Sequence, residues 1–227
     1  MQDTASNTAT PVIEDPLAHL PVSMIGEFRK GSVIYGPESR PSSLYVVLAG
    51  KVKICRAAHH GQQVVLDVYQ TDEFFGESSL IGGGYNEMAV ALENTRVMSW
   101  GANEIREIVL KRPDLGYALL QLSVQRTVEF GDRIESFSLD NIERRLVSAL
   151  LRFAEKLGTP SDDGGREMIA FTHELLSQYV GTSREIVTHY MNYFRRKGCL
   201  NYSRKSIVVY EDGLRNLVTL EESPKAA

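Results

Sequence analysis

Five polar side chains near the C-terminus, Arg184, Glu185, Thr188, His189 and Asn192, are spaced to share one outward helical face. An arginine on such a face can donate two hydrogen bonds to guanine O6 and N7, and a glutamate can accept one from cytosine N4. That is the chemistry of base-edge readout in a DNA major groove. Around them stand groups suited to backbone phosphates: Thr172, Ser183, Arg195, Arg196, Arg204 and Lys205.

Residues 171–198 supply the elements that would position these groups. They read as two short helices joined by a sharp turn at Gly181, a position glycine fills at little steric cost. Thr172 is placed to cap the first helix and Ser183 the second. Leu176, Val180, Val187 and Tyr190 are spaced to bury the inner faces, with Ser177 small where the helices cross. The stretches 199–202 and 206–210 then read as a hairpin turning at Ser203-Arg204-Lys205. Helix, turn, helix and hairpin together make a winged helix-turn-helix.

Further upstream the period changes. From about residue 27 to 100, short apolar runs alternate with turn signals, as in Leu44–Leu48, Val52–Cys55 and Gln63–Tyr69. This pattern predicts an antiparallel sandwich or barrel. A short helix is expected over Glu104–Leu110, and a long one begins at Pro113, a residue suited to a first helical turn. Its apolar positions, including Leu119, Leu122 and Ile134, form two stripes, one for the barrel and one for a second copy of the helix. Asp140 and Glu143 form a candidate capping box for the next helix, which stops at Gly158, and residues 159–165 read as a loop.

Composition narrows the classes. The 227 residues are 43% hydrophobic and 24% charged, enough for substantial cores in a soluble chain. A net charge of −4 confines any nucleic-acid contact to a local patch. The two cysteines, Cys55 and Cys199, cannot hold an iron–sulfur cluster and indicate a reducing, cytoplasmic setting. No apolar run is long enough for a membrane span, and no signal peptide is expected. His59 and His60 sit in a turn where their side chains diverge, so no haem is expected. The expected strands lack the histidines of a metal site. No catalytic constellation is visible, so the chain does not read as an enzyme.

The stretch GTSREIVTHYMNYFRRKGCLNYSRKSIVVY resembles the C-terminal domain of the Crp/Fnr regulators. LYVVLAGKVKI and GQQVVLDVYQTDEFFGESSLIGG look like that family's cyclic-nucleotide-binding barrel. The fold class expected is α+β: an N-terminal antiparallel β-barrel of the double-stranded β-helix or jelly-roll kind, a long dimerisation helix and a C-terminal winged helix-turn-helix. The polar, Thr-, Ala- and Asn-rich start reads as a disordered tail over 1–20 and the end as a tail over 221–227; between them the resemblance implies a sensory barrel over 21–112, the dimerisation helix over 113–138 and the DNA-binding domain over 139–220. It implies a homodimer joined through Leu119, Leu122 and Ile134, with a hinge near Leu139–Asn141. Arg184 and Glu185 would read a TGTGA-like half-site of a palindrome in double-stranded DNA, and RNA polymerase would be a partner. His189 stands where the family's best-known member has a third reading arginine, so the innermost base preference differs. The alternative reading is a small-molecule-binding module acting through protein partners.

The resemblance also places an effector pocket at Gly76, Glu77, Ser78, Glu87, Met88 and Phe130. In cyclic-nucleotide members a glutamate such as Glu77 accepts a ribose hydroxyl, and an Arg-Ser pair farther on neutralises the phosphate. Here Glu87 and Met88 stand at the matching positions, and no Arg or Lys occurs between Gly76 and Arg96. A buried phosphate without a cation loses the bonds that offset its desolvation. Cyclic AMP is therefore not the expected effector, and the cofactor is left unidentified.

Overall fold

A computed structural model of the chain describes residues 14–38, 42–57, 62–82 and 86–220. The His59-His60 turn, Gly83-Gly84 and the segments 1–13 and 221–227 lie outside the described residues.

Two four-stranded antiparallel sheets form the N-terminal half. The strands are β1 (Met24–Phe28), β2 (Val33–Tyr35), β3 (Ser43–Ala49), β4 (Val52–Ala57), β5 (Gln63–Tyr69), β6 (Phe74–Phe75), β7 (Glu87–Ala91) and β8 (Thr95–Gly101). One sheet has the order β1-β8-β3-β6 and the other β2-β7-β4-β5. Alternation on β3 shows how the sequence builds both sides. Tyr45 and Val47 point between the sheets with Tyr35, Ile54 and Phe75, while Leu44 and Val46 point outward to Trp100 and Ile105. Strand β1 was not expected: its alternation is broken by Gly26 and Glu27, and as an edge strand it leaves most of its residues exposed. Part of the expected tail, residues 14–20, lies within the described residues. Asp15 caps a 3-10 helix over Pro16–His19, and Leu17 and Leu20 pack onto the Trp100 cluster.

Helix α1 (Ala102–Lys111) leads to α2 (Pro113–Leu139), with Pro113 in its first turn. Leu115 and Ala118 are fully buried, and Leu119 and Leu122 pack onto the chain's own barrel. Of the three residues expected at a helix–helix seam, Leu119 and Leu122 are half-buried against the barrel and Ile134 is exposed. The outward stripe is Leu120 (58% exposed), Val124 (54%), Val128 (58%) and Ile134 (66%). Stripes only one residue apart are easily exchanged when read from spacing alone.

Helix α3 (Ile142–Leu157) is capped by Asn141, whose side chain accepts from the Arg144 N–H. The expected cap, Asp140, instead accepts from the Ser136 hydroxyl and pairs with Arg144. Strand β9 (Thr159–Pro160) takes up the first two residues of the expected loop, and β10 (Arg166–Ile169) follows it. Then come α4 (His173–Val180), α5 (Arg184–Arg196), β11 (Leu200–Tyr202), β12 (Ser206–Val209) and α6 (Glu211–Leu220). The wing is thus part of a four-stranded sheet, β11-β12-β10-β9. Leu150, Phe153, Leu176, Val187, Met191 and Phe194 form the core of this half, and Cys55, Val65 and Val68 of the barrel belong to the same cluster. The two halves therefore share buried apolar surface.

Candidate nucleic-acid interface and barrel pocket

The turn between α4 and α5 is built as the residue types require. Thr172 accepts from the Leu175 N–H and Ser183 from the Ile186 N–H, satisfying donors that helix starts leave open. Gly181 has φ 73°, and a Cβ there would lie 2.8 Å from the Phe137 ring. Leu176, Val180, Val187, Met191 and Phe194 bury the inner faces, with Tyr190 half-buried.

Arg184, Glu185 and His189 are exposed together on the outer face of α5. The Glu185 carboxylate accepts from its own backbone N–H and from the Ser183 hydroxyl, which holds it below the usual carboxylate range. Thr188 and Asn192, on the same face, are tied inward. The Thr188 hydroxyl lies 2.8 Å from His173 Nδ1 and donates to the Arg184 carbonyl. Tyr202 of β11 donates to Asn192 Oδ1 at 3.0 Å, joining wing to helix. Burial, then the Arg184 charge, pushes the His173 imidazole below its ordinary value. Among the basic residues, Arg195 lies 5.1 Å over the Tyr202 ring, and Arg196, Arg204 and Lys205 are exposed. The face combines hydrogen-bond donors and acceptors at the centre with cations at the margins.

The barrel pocket is a cavity of about 220 Å³ lined by Gly76, Glu77, Glu87 and Phe130 together with Arg56 and Arg126. Ser78 touches it only through Glu87, and Met88 is turned the other way, against the core shared with the C-terminal half. That corrects Met88 as a pocket residue: side chains alternate along β7, so Glu87 and Met88 cannot face the same side. Gly76 is left-handed at φ 85°, and a Cβ there would lie 2.8 Å from the Ser43 carbonyl.

Cations are present here after all, supplied by strand β4 and helix α2 rather than by the segment after Gly76. Both are already engaged. Arg126 pairs with Glu77, donates to the Phe74 carbonyl and lies 4.8 Å over the Tyr69 ring. Glu87, only 8% exposed, accepts from the Tyr35 hydroxyl at 2.7 Å and from Ser78 at 3.0 Å, with Arg56 at 3.8 Å. Burial, then the charge of Glu87, raises the Tyr35 pKa far above its ordinary value, so its hydroxyl stays a donor. Two carboxylates, Glu77 and Glu87, thus face the cavity, and both are engaged by protein groups.

A third group joins the halves. Asp67 of β5, 6% exposed, lies 3.1 Å from both Arg152 and Lys156 of α3. Arg152 also meets Glu129 of α2 at 2.8 Å, and Lys156 meets Glu73 at 3.1 Å. Burial opposes the Arg152 charge, but Asp67, Tyr179 and Glu129 outweigh it and raise its pKa. Arg133 of α2 donates to the carbonyls of Val65, Leu66 and Tyr179. Sequence reading missed these residues. Their one local signal is the seven-residue interval from Arg126 to Arg133, which puts two cations on one face of the long helix.

Residues 25–112 match the cyclic nucleotide-binding domain family, and residues 144–217 match the Crp-like helix-turn-helix domain family. The CRP-like cAMP-activated global transcriptional regulator of Mycobacterium tuberculosis (strain ATCC 25618 / H37Rv) is 26% identical over 184 residues, covering 81% of this chain and 82% of that protein. Transcriptional regulator SdrP of Thermus thermophilus is 29% identical over 203 residues, covering 86% and 93%. Among solved structures, FixK2 from Bradyrhizobium japonicum superposes with a TM-score of 0.77 at 18% identity, covering 87% of this chain and 98% of that one. A CRP/FNR-family transcriptional regulator from Thermus thermophilus gives 0.69 at 28% identity, covering 86% and 98%. No helix among the described residues is long and apolar enough to cross a membrane.

Proposed function

This chain belongs to the Crp/Fnr family of DNA-binding transcription regulators, and from that premise we propose that it acts as a homodimer reading a palindromic, TGTGA-like site. Arg184 and Glu185 read bases, His189 alters the innermost preference, and Arg195, Arg196, Arg204 and Lys205 meet phosphates. Thr188 and Asn192 contribute from positions preset by His173 and Tyr202. RNA polymerase is the partner that follows from such a role. The observation that carries the reading is the capped, exposed Arg184-Glu185 pair at the start of α5, flanked by a basic wing.

Dimerisation is supported by the apolar stripe from Leu120 to Ile134, which no other described part of the chain covers. The barrel effector, in this reading, is not cyclic AMP, although one relative is described as cAMP-activated. The intramolecular Glu77–Arg126 pair and the Glu87–Tyr35 bond support this, since an anionic ligand would have to break the first and meet the charge of the second.

Fluorescence anisotropy with a labelled TGTGA-type palindrome across salt concentrations tests the reading. Arg204→Ala should weaken all sequences alike, whereas Arg184→Ala and Glu185→Ala should narrow the gap between the palindrome and a scrambled duplex. Equal binding of both duplexes by the unaltered protein would reject base readout.

A further inference from the structure

A cavity of about 240 Å³ lies between α2 and the DNA-binding half, apart from the barrel pocket. Arg133 and Phe137 of α2, Arg145, Ser148 and Arg152 of α3 and Tyr179 of α4 line it. Its volume is well above the order of 10–15 Å³ that one water needs.

Three arginines meet here, and each has a buried Nε–H without a hydrogen-bond partner. Arg133 and Arg145 form no ion pair among the described residues. The terminal nitrogens of Arg133 go to three backbone carbonyls, and Arg145 donates to the Val180 carbonyl. The Phe137 ring lies between the two, 5.4 Å from the Arg133 guanidinium and 5.2 Å from that of Arg145. Burial lowers the pKa of Arg133, as expected of a cation short of counter-charge. Three carboxylates also border the cavity. Glu129 is held by Arg152, and Asp140 by Ser136 and Arg144. Asp132 is exposed. Buried donors that lack partners and cations that lack counter-ions are both costly arrangements. A ligand supplying acceptor oxygens would relieve both.

We propose that this cavity is an anion site for a small carboxylate or phosphate monoester with an apolar or aromatic body. Guanidinium groups match the oxygens of both anions, and Phe137 and Tyr179 offer ring faces to the body. An anion touching Arg133 and Arg145 together bridges the long helix and α3 across the Asp140–Asn141 junction. Its binding favours the present arrangement of the two halves by mass action. The proposal does not depend on which bases α5 reads.

Calorimetric titration of the full chain with phenyl phosphate, benzoate and inorganic phosphate tests it, with sodium chloride at matched ionic strength as the blank. Phenyl phosphate or benzoate should bind saturably below about 1 mM, a free energy near −4 kcal/mol. Arg145→Gln should weaken that binding at least tenfold. Ser148→Phe, which fills the cavity and keeps its charges, should abolish it. Ser123→Phe, which fills the barrel pocket instead, should leave it intact. Should Arg145→Gln not fold, Ser148→Phe at an exposed position decides alone. Absence of saturable binding, equal affinity in the Ser148 variant, or loss only in the Ser123 variant would each overturn the proposal.

Discussion

Replacing Asp67 by asparagine keeps its shape and removes its charge, so it isolates the ionic part of the link between barrel and DNA-binding half. Asp67 accepts from Arg152 and Lys156, both 3.1 Å away, and also from the Val68 N–H at 2.8 Å. Removing one partner of a buried ion pair costs about 3–5 kcal/mol when the other charge is left alone. Here each cation keeps a second carboxylate, Glu129 for Arg152 and Glu73 for Lys156. The Arg152 side chain is also 30% exposed, so water screens part of the loss. We therefore expect about 2 kcal/mol. For a chain of this size that is a fall in Tm of roughly 4–8 °C. Thermal melts at 0.1 and 0.5 M salt measure it. Because Asp67 is buried, most of the loss should persist at high salt. The double variant Asp67→Asn/Lys156→Met should cost less than the sum of the single changes. A change within 0.5 kcal/mol, or one that disappears at 0.5 M salt, would refute the reasoning.

Three further outcomes follow from the same geometry. Val124→Asp puts a charge in the middle of the exposed stripe on α2 and should turn a dimer into monomers, read by light scattering, with loss of palindrome binding. Gly181→Ala forces a side chain into positive φ and against Phe137, and should cost about 1–3 kcal/mol in a denaturant melt. The folded His173 pKa lies below its unfolded value near 6.5. The unfolded chain therefore takes up more protons in that interval. Stability is full above about pH 6.5 and falls as pH drops toward the folded pKa, and His173→Asn should flatten that part of the pH–stability curve.

What the sequence disclosed and what it withheld divide along the range of the interactions. The α4–α5 turn was legible because caps, glycine and inner apolar positions act over four residues or fewer, as at Thr172, Gly181 and Ser183. Most barrel strands were legible through alternation, and the edge strand β1 was not. The cap of α3 was misread because Asp140 and Asn141 are adjacent and both can cap. Arg126 and Glu77 are 49 positions apart in sequence, and Lys156 and Asp67 are 89, so no local pattern could pair them. The absence of a cation after Gly76 was real, but the inference that the pocket has none failed because α2 and β4 bring their own.

The measurement that bears most directly on base readout is a double-mutant cycle between Arg184→Ala and a G·C to A·T change at each half-site position, with binding measured at fixed salt. Base reading predicts coupling of about 1–3 kcal/mol at one guanine, and near zero at the others. Zero coupling at every position, with Arg184→Ala lowering the salt slope by about one, would make Arg184 a phosphate contact and contradict the reading.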